Sequence, residues 1–240
     1  MQNRYAGDVG DFGKIGMLRL LEKEGLSVGV NWYLVADESH NNDGKHIGYM
    51  SDKKFTGCDD ELLQALEDII AQGERSVHAI EEQQLLETNI YYSKELYPPS
   101  VSSYGNRRMW HRQALSTVEK CDIVFLDPDN GLLPPSVSPN GDKSVKYVLS
   151  EEIVDYYKAS HSVVFYNHRT REQLDIYLKR FEKLFSVEAL SDATIKALSY
   201  KRGTVRDYFF VLHPEHVEQA LHVLNQLSIG KWGKHFEVTV

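Results

Sequence analysis

Only two of the 240 residues are cysteines, Cys58 and Cys121, and they stand far apart. That leaves no disulfide framework and no cysteine spacing for a metal, and a reducing cytoplasm is the setting it predicts. Long apolar runs are missing too. Nothing approaches the roughly 20 residues of a membrane-spanning helix, and the opening Met1–Asp8 stretch lacks the apolar core of a secretory signal. A surplus of positive charge is also absent: 35 acidic residues face 27 lysines and arginines, for a formal net charge of −8. Modules that coat themselves on nucleic-acid phosphates are usually basic. A dedicated module of that kind is disfavoured, whereas an enzyme with a local basic mouth is not. The Gly-x-Gly-x-x-Gly fingerprint of dinucleotide binding does not occur.

What is present suits a packed α/β protein. Hydrophobic residues make up 42% of the chain and aromatic residues 11%, enough for a core rather than disorder. No repeat or long linker divides residues 1–240, which read as one domain, with 41–120 the weakest part of the pattern and the place for an insertion. Residues 12–24 carry apolar side chains at helical spacing, and Gly25 can close that helix. Residues 28–36 form the first strand candidate. Asp59 and Asp60 cap a helix through Ala71. Residues 76–80 and 90–92 read as short strands. A helix over 106–118 leads into the apolar run Ile123–Leu126, and Ser150 with Glu151 and Glu152 opens another helix. Residues 163–166 form a buried strand, followed by a helix over 170–185. Strands at 194–200 and 207–212, joined by Lys-Arg-Gly, form an antiparallel hairpin, followed by a helix over 214–227 and a strand over 236–240. The alternation predicts a doubly wound, mostly parallel, Rossmann-like sheet with a C-terminal antiparallel hairpin, as in class I methyltransferases.

In such a sheet, ligands bind beyond the carboxyl ends of the strands. Polar clusters stand at three of those ends. The run Ile123–Leu126 stops at Asp127-Pro-Asp129-Asn130-Gly131, so Asp127, Asp129 and Asn130 are candidate catalytic residues; an Asx turn explains the same residues without chemistry. The first strand ends in Asp37-Glu-Ser39-His40-Asn-Asn-Asp43-Gly44, a candidate cofactor loop. The strand at 163–166 ends in Asn167-His168-Arg169. Arg107, Arg108, Trp110 and Arg112, with Lys14 and Arg169, are candidates for phosphate or nucleic-acid contacts, since arginine beside an aromatic suits phosphate binding and base stacking. The plain alternative is that Trp110 anchors its helix while the arginines face solvent. Arg171, Lys201, Arg202 and Arg206 add charge in later turns.

Tyr5-Ala-Gly-Asp-Val-Gly-Asp-Phe-Gly-Lys14, followed by a helix and a strand ending in Asp37, resembles the opening of the RlmJ-type ribosomal RNA adenine-N6 methyltransferases. Asp127-Pro-Asp-Asn130 is similar to their Asp-Pro-Pro-Tyr motif, and the likeness covers the first fifty residues and roughly 120–170. The resemblance implies S-adenosylmethionine as cofactor, with Asp37 and its loop (Ser39, His40, Asp43, Gly44) near its methionine and ribose end. It also implies an acceptor base facing Asp127. Asp129 and Asn130 stand where the family has proline and an aromatic, and the glycine-rich turn after the first strand is missing. Two other readings stay open: a Mg²⁺-dependent phosphoesterase or nuclease using Asp127 and Asp129 as Asp-x-Asp, and a non-catalytic Rossmann-like binding protein.

Overall fold

A computed structural model describes residues 1–38, 44, 46–102 and 104–239. Asp8 opens the first helix, α1 (Val9–Lys23), where its carboxylate accepts the backbone N–H groups of Gly10 and Asp11. Those are donors that a first helical turn leaves without partners. β1 (Val28–Asn31) follows, then α2 (Asp60–Gln72), capped by the Asp59 carboxylate and closed by Gly73 in the left-handed region. Next come α3 (Val77–Glu82), β2 (Ile90–Tyr92), α4 (Tyr104–Thr117) and β3 (Ile123–Leu126). A small parallel pair, β4 (Gly131–Leu132) and β5 (Tyr147–Val148), precedes α5 (Ser150–Lys158), β6 (Ser162–His168) and α6 (Leu174–Phe185). The chain then runs through β7 (Thr194–Arg202), β8 (Thr204–Leu212), α7 (Val217–Ser228) and β9 (Phe236–Val238).

Seven strands form one mixed sheet in the order β2-β1-β3-β6-β8-β7-β9. The first four are parallel, and β8, β7 and β9 each run antiparallel to the strand before them in that order. Successive strand side chains point to opposite faces, and β3 shows the result. Ile123 and Phe125 join a cluster with residues of α1, α2 and α7, whereas Val124 and Leu126 join one with residues of α4, α5 and α6. Both faces of the sheet are therefore covered, which is why β3 reads as an unbroken apolar run. Among the described residues, no helix is long and apolar enough to cross a membrane.

Several boundaries differ from the sequence expectation. The first strand ends at Asn31 rather than Ala36. Beyond it Trp32 still bonds to Tyr92 O, but Val35 donates its N–H to Met1 O instead of to a strand. Residues 76–80 are not a strand: Ser76 Oγ accepts the Ala79 N–H and starts α3. Ser150 is the first residue of α5 rather than its cap, and the Glu152 carboxylate reaches back to the Leu149 N–H. The helix expected from residue 170 begins at Leu174.

Candidate functional site

Lys14 lies on α1, and its ammonium joins two elements distant in sequence. Lys14 Nζ sits 2.5 Å from Asp127 Oδ2, just past β3, and 2.8 Å from Asp11 Oδ1, one turn back on α1. The spacing of Asp8, Asp11 and Lys14 places them on one face of the helix, and that face looks onto Asp127. All three groups of the Asp11–Lys14–Asp127 bridge are buried. Burial pushes the Asp127 and Asp11 carboxyls above the usual range, more than the nearby Lys14 charge pulls them down. Lys14 is raised as well, but for the opposite reason: burial disfavours its charge, and the two carboxylates outweigh that and hold the proton more firmly.

Asp129 takes a separate course. Its carboxylate meets the Met1 α-ammonium at 2.9 Å and accepts from Gln2 Nε2 at 2.6 Å. Burial raises the Asp129 carboxyl, but that ammonium and the Gln2 bond overcome it and hold the group below its ordinary value. Asp127 and Asp129 thus have different ion-pair partners, Lys14 and the Met1 α-ammonium. Among the described residues, no group of three or more His, Cys, Asp or Glu side chains could hold a metal.

The order of β1 and β3 in the sheet makes the gap between their carboxyl ends a switch point, where open α/β sheets take their ligands. Here that gap contains residues 1–4. The Met1 α-ammonium donates to Tyr33 O beyond β1 and to Asp127 O beyond β3. Gln2 spans the same gap, with Nε2 on Asp129 and Oε1 accepting the Glu38 N–H. Arg4 continues along the rim: its N–H reaches Asp37 Oδ1 at 3.3 Å, and its guanidinium donates to Glu38 O. Asp37, the acid expected near the methionine and ribose end of the cofactor, is thus exposed and bonded to the chain's own backbone. Trp32 and Tyr33, both buried, stand where a glycine-rich turn would let a cofactor approach, and Tyr33 takes a positive φ of 46°. With residues 1–4 in place, the residues at this crevice do not fit S-adenosylmethionine.

A cavity of about 430 Å³ opens beside the crevice, above the carboxyl ends of β3 and β6. Asp8, Asp11, Lys14, Asp127, Asp129 and Asn130 line its α1 and β3 side, and Tyr166, His168, Arg206 and Tyr208 line its β6 and β8 side. Asn130 holds the wall in place: its N–H donates to Lys146 O and its carbonyl accepts the His168 N–H. Gly131, at φ 107°, lets the loop pass against the Asn167 amide, which a Cβ would strike. Arg206 lies across Asp8 at 3.4 Å. Tyr208 is fully buried, and its hydroxyl finds no hydrogen-bond partner among the described residues. Burial raises its pKa far above that of a free phenol, so it remains a donor. A buried donor without a partner is rare in folded proteins.

The other expected contacts are distributed differently. Gly44 is buried on the cavity wall against Arg4 O; Ser39, His40 and Asp43 lie outside the described residues. Arg107 is buried on α4. Its guanidinium is buried in a two-pronged pair with Glu152 and also donates to Ser144 O and Tyr147 O. Trp110 is an anchor: it packs edge-on against Tyr33 and Tyr92 and donates Nε1–H to Lys94 O. Arg169 pairs with both oxygens of buried Asp207. Arg108 and Arg112 are exposed beside a shallow cleft that also contains Glu151, Glu152 and Asp155. That mixture of signs is not the basic track that a phosphate backbone needs. Asp8, Asp11, Gln2, Tyr166 and Tyr208 were not expected at the site; the i, i+3, i+6 spacing of Asp8, Asp11 and Lys14 is the one signal that could have revealed two of them. No known protein family matches the chain, and no curated protein matches it.

Proposed function

We propose that this chain is an enzyme on a doubly wound, Rossmann-like sheet of the class I methyltransferase kind, which moves a proton at Asp127 on an amine-bearing substrate seated in the cavity. The fold reading is supported by four parallel strands with β1 and β3 side by side, helices over both faces, and β7 and β8 forming a C-terminal hairpin whose second strand inserts beside β6. The observation that carries the chemistry is the Asp11–Lys14–Asp127 bridge at the base of the cavity. One ammonium lies between two buried carboxylates, and burial raises both acids above the ordinary carboxyl range, the direction a proton-exchanging carboxyl requires. Perturbed carboxyls in a cleft are candidates for a functional site.

The substrate class follows from the lining. Asp127 accepts hydrogen bonds and Tyr208 donates one, so an edge carrying an amine beside an acceptor matches them, as on adenine or cytosine. Tyr166 supplies an aromatic wall for such a ring. The resemblance implies S-adenosylmethionine, but methyl transfer requires the crevice cleared of residues 1–4, and nothing in the proton chemistry depends on it. Titration calorimetry with adenosine and cytidine tests the reading: at least one binds the wild type, and Asp127→Asn abolishes that heat with the fold intact. Absence of binding to folded wild type overturns it.

A second reading, a non-catalytic binding protein, is favoured by one fact: Asp127 and Asp129 are both already paired within the chain. It predicts that Asp127→Ala leaves ligand affinity unchanged.

A further inference from the structure

We infer that residues 1–4 act as an internal plug at the sheet's switch point, and that a ligand reaches the crevice between β1 and β3 only when this segment lifts. The inference rests on the methyltransferase-like reading of the fold, which makes that crevice the cofactor's place. Three contacts carry it. Gln2 is fully buried, and its one amide satisfies both walls, donating to Asp129 beyond β3 and accepting from the Glu38 N–H beyond β1. Met1 O takes the Val35 N–H, a backbone donor that the end of β1 leaves without a strand partner. Arg4 fastens the outer end through the Glu38 carbonyl and carboxylate.

These groups do for the two loops what a ligand at a switch point does: they pair the backbone and carboxylate groups beyond the strands. The segment crosses them from outside the sheet and enters no strand. Its release therefore leaves every ladder bond in place. Asn3 is the exception to a purely local hold, because its side chain accepts the Val77 N–H at the start of α3. Lifting the segment thus also removes the acceptor of the Val77 N–H while the Ser76 cap stays in place, which links the crevice to the helices between β1 and β2.

The test compares the full chain with a variant lacking residues 2–4 and, in case that variant folds poorly, with Gln2→Ala/Arg4→Ala. Circular dichroism establishes folding. Hydrogen exchange at the Val35 and Glu38 amides reports docking, and calorimetry with S-adenosylmethionine at about 1 mM, the weak end of specific binding, reports access. The expected result is protected amides and no heat in the wild type. In the variants those amides should exchange at least about tenfold faster, as a local opening would allow, with a gain of cofactor binding. Wild type that binds the cofactor while both amides stay protected overturns the plug and leaves the fold reading standing. Variants with freed amides and no binding overturn the methyltransferase-like reading and the plug with it. Amides that stay protected in the variants show that other groups pair them, and also overturn the plug.

Discussion

Lys14 and Asp127, 113 residues apart in sequence, meet at 2.5 Å with both side chains 6% exposed. The pair joins the first helix to the end of the central strand, and Asp11 makes it a triad. Removing one member of a buried ionic group leaves the others uncompensated.

Lys14→Met is therefore expected to destabilise the fold by about 3–5 kcal/mol. Urea denaturation at neutral pH measures it. A loss below about 1 kcal/mol, the value of an exposed pair, would show that the bridge is not buried as described.

Acid-base titration of stability separates two buried groups. Burial raises the Glu152 carboxyl, but the Arg107 charge and hydrogen bonds overcome that and hold it below its ordinary 4.5. A lowered carboxyl contributes stability that is present above 4.5 and lost as pH falls through its folded value. The deficit of Glu152→Gln should close only below that point. Asp11 and Asp127 are raised above 3.8, so their ionisation weakens the fold as pH rises through their folded values. In Lys14→Met they rise further, and its deficit should begin to close at a higher pH than that of Glu152→Gln. Urea melts of both variants across a pH series check the order of the two windows.

Tyr208→Phe removes a hydroxyl that has no partner among the described residues. Stability should hold or rise, by up to about 1 kcal/mol, because an unpaired buried polar group costs more than it contributes. Binding of the nucleoside that the wild type takes should weaken in the same variant. A fall in stability would show that the hydroxyl is bonded within the folded chain.

Gly13→Ala tests the packing of α1 on the sheet. A Cβ at Gly13 would lie 2.7 Å from the ring of Tyr200, which is fully buried. Alanine favours the helix by about 1 kcal/mol, but overpacking a core typically costs 1–3 kcal/mol. A lower denaturation midpoint is expected; a higher one would mean that Tyr200 can move.

The strands that carry the sheet were legible where both faces are covered. Ile123–Leu126 is apolar at every position, as a strand covered on both faces requires. The stretch from Ser76 to Ile80 was not legible, because five residues with two or three apolar positions fit either period, and a serine cap decided the outcome. The start of α1 was hidden by Gly7 and Gly10, whose turn-like composition masks Asp8 as a cap. Asp127 could be found as a strand-end acid. Its partner could not: Lys14 reads as a basic residue available for phosphate until the fold brings it beneath β3. Arg107 and Arg169 were misplaced for a related reason, since a sequence shows charge without showing Glu152 or Asp207 beside it. Gln2 carried no signal at all.

The clasp between Gln2 and Asp129 closes a loop of 127 residues. Contacts that distant form slowly, because the chain must surrender the entropy of the intervening loop before they form. A growing or refolding chain can build α1 and pair β1 with β2 while this amide still faces water. The crevice is then open for as long as the loop beyond β3 is unformed. Docking of residues 1–4 is therefore a late step of folding, the last seal on a crevice whose walls are built first.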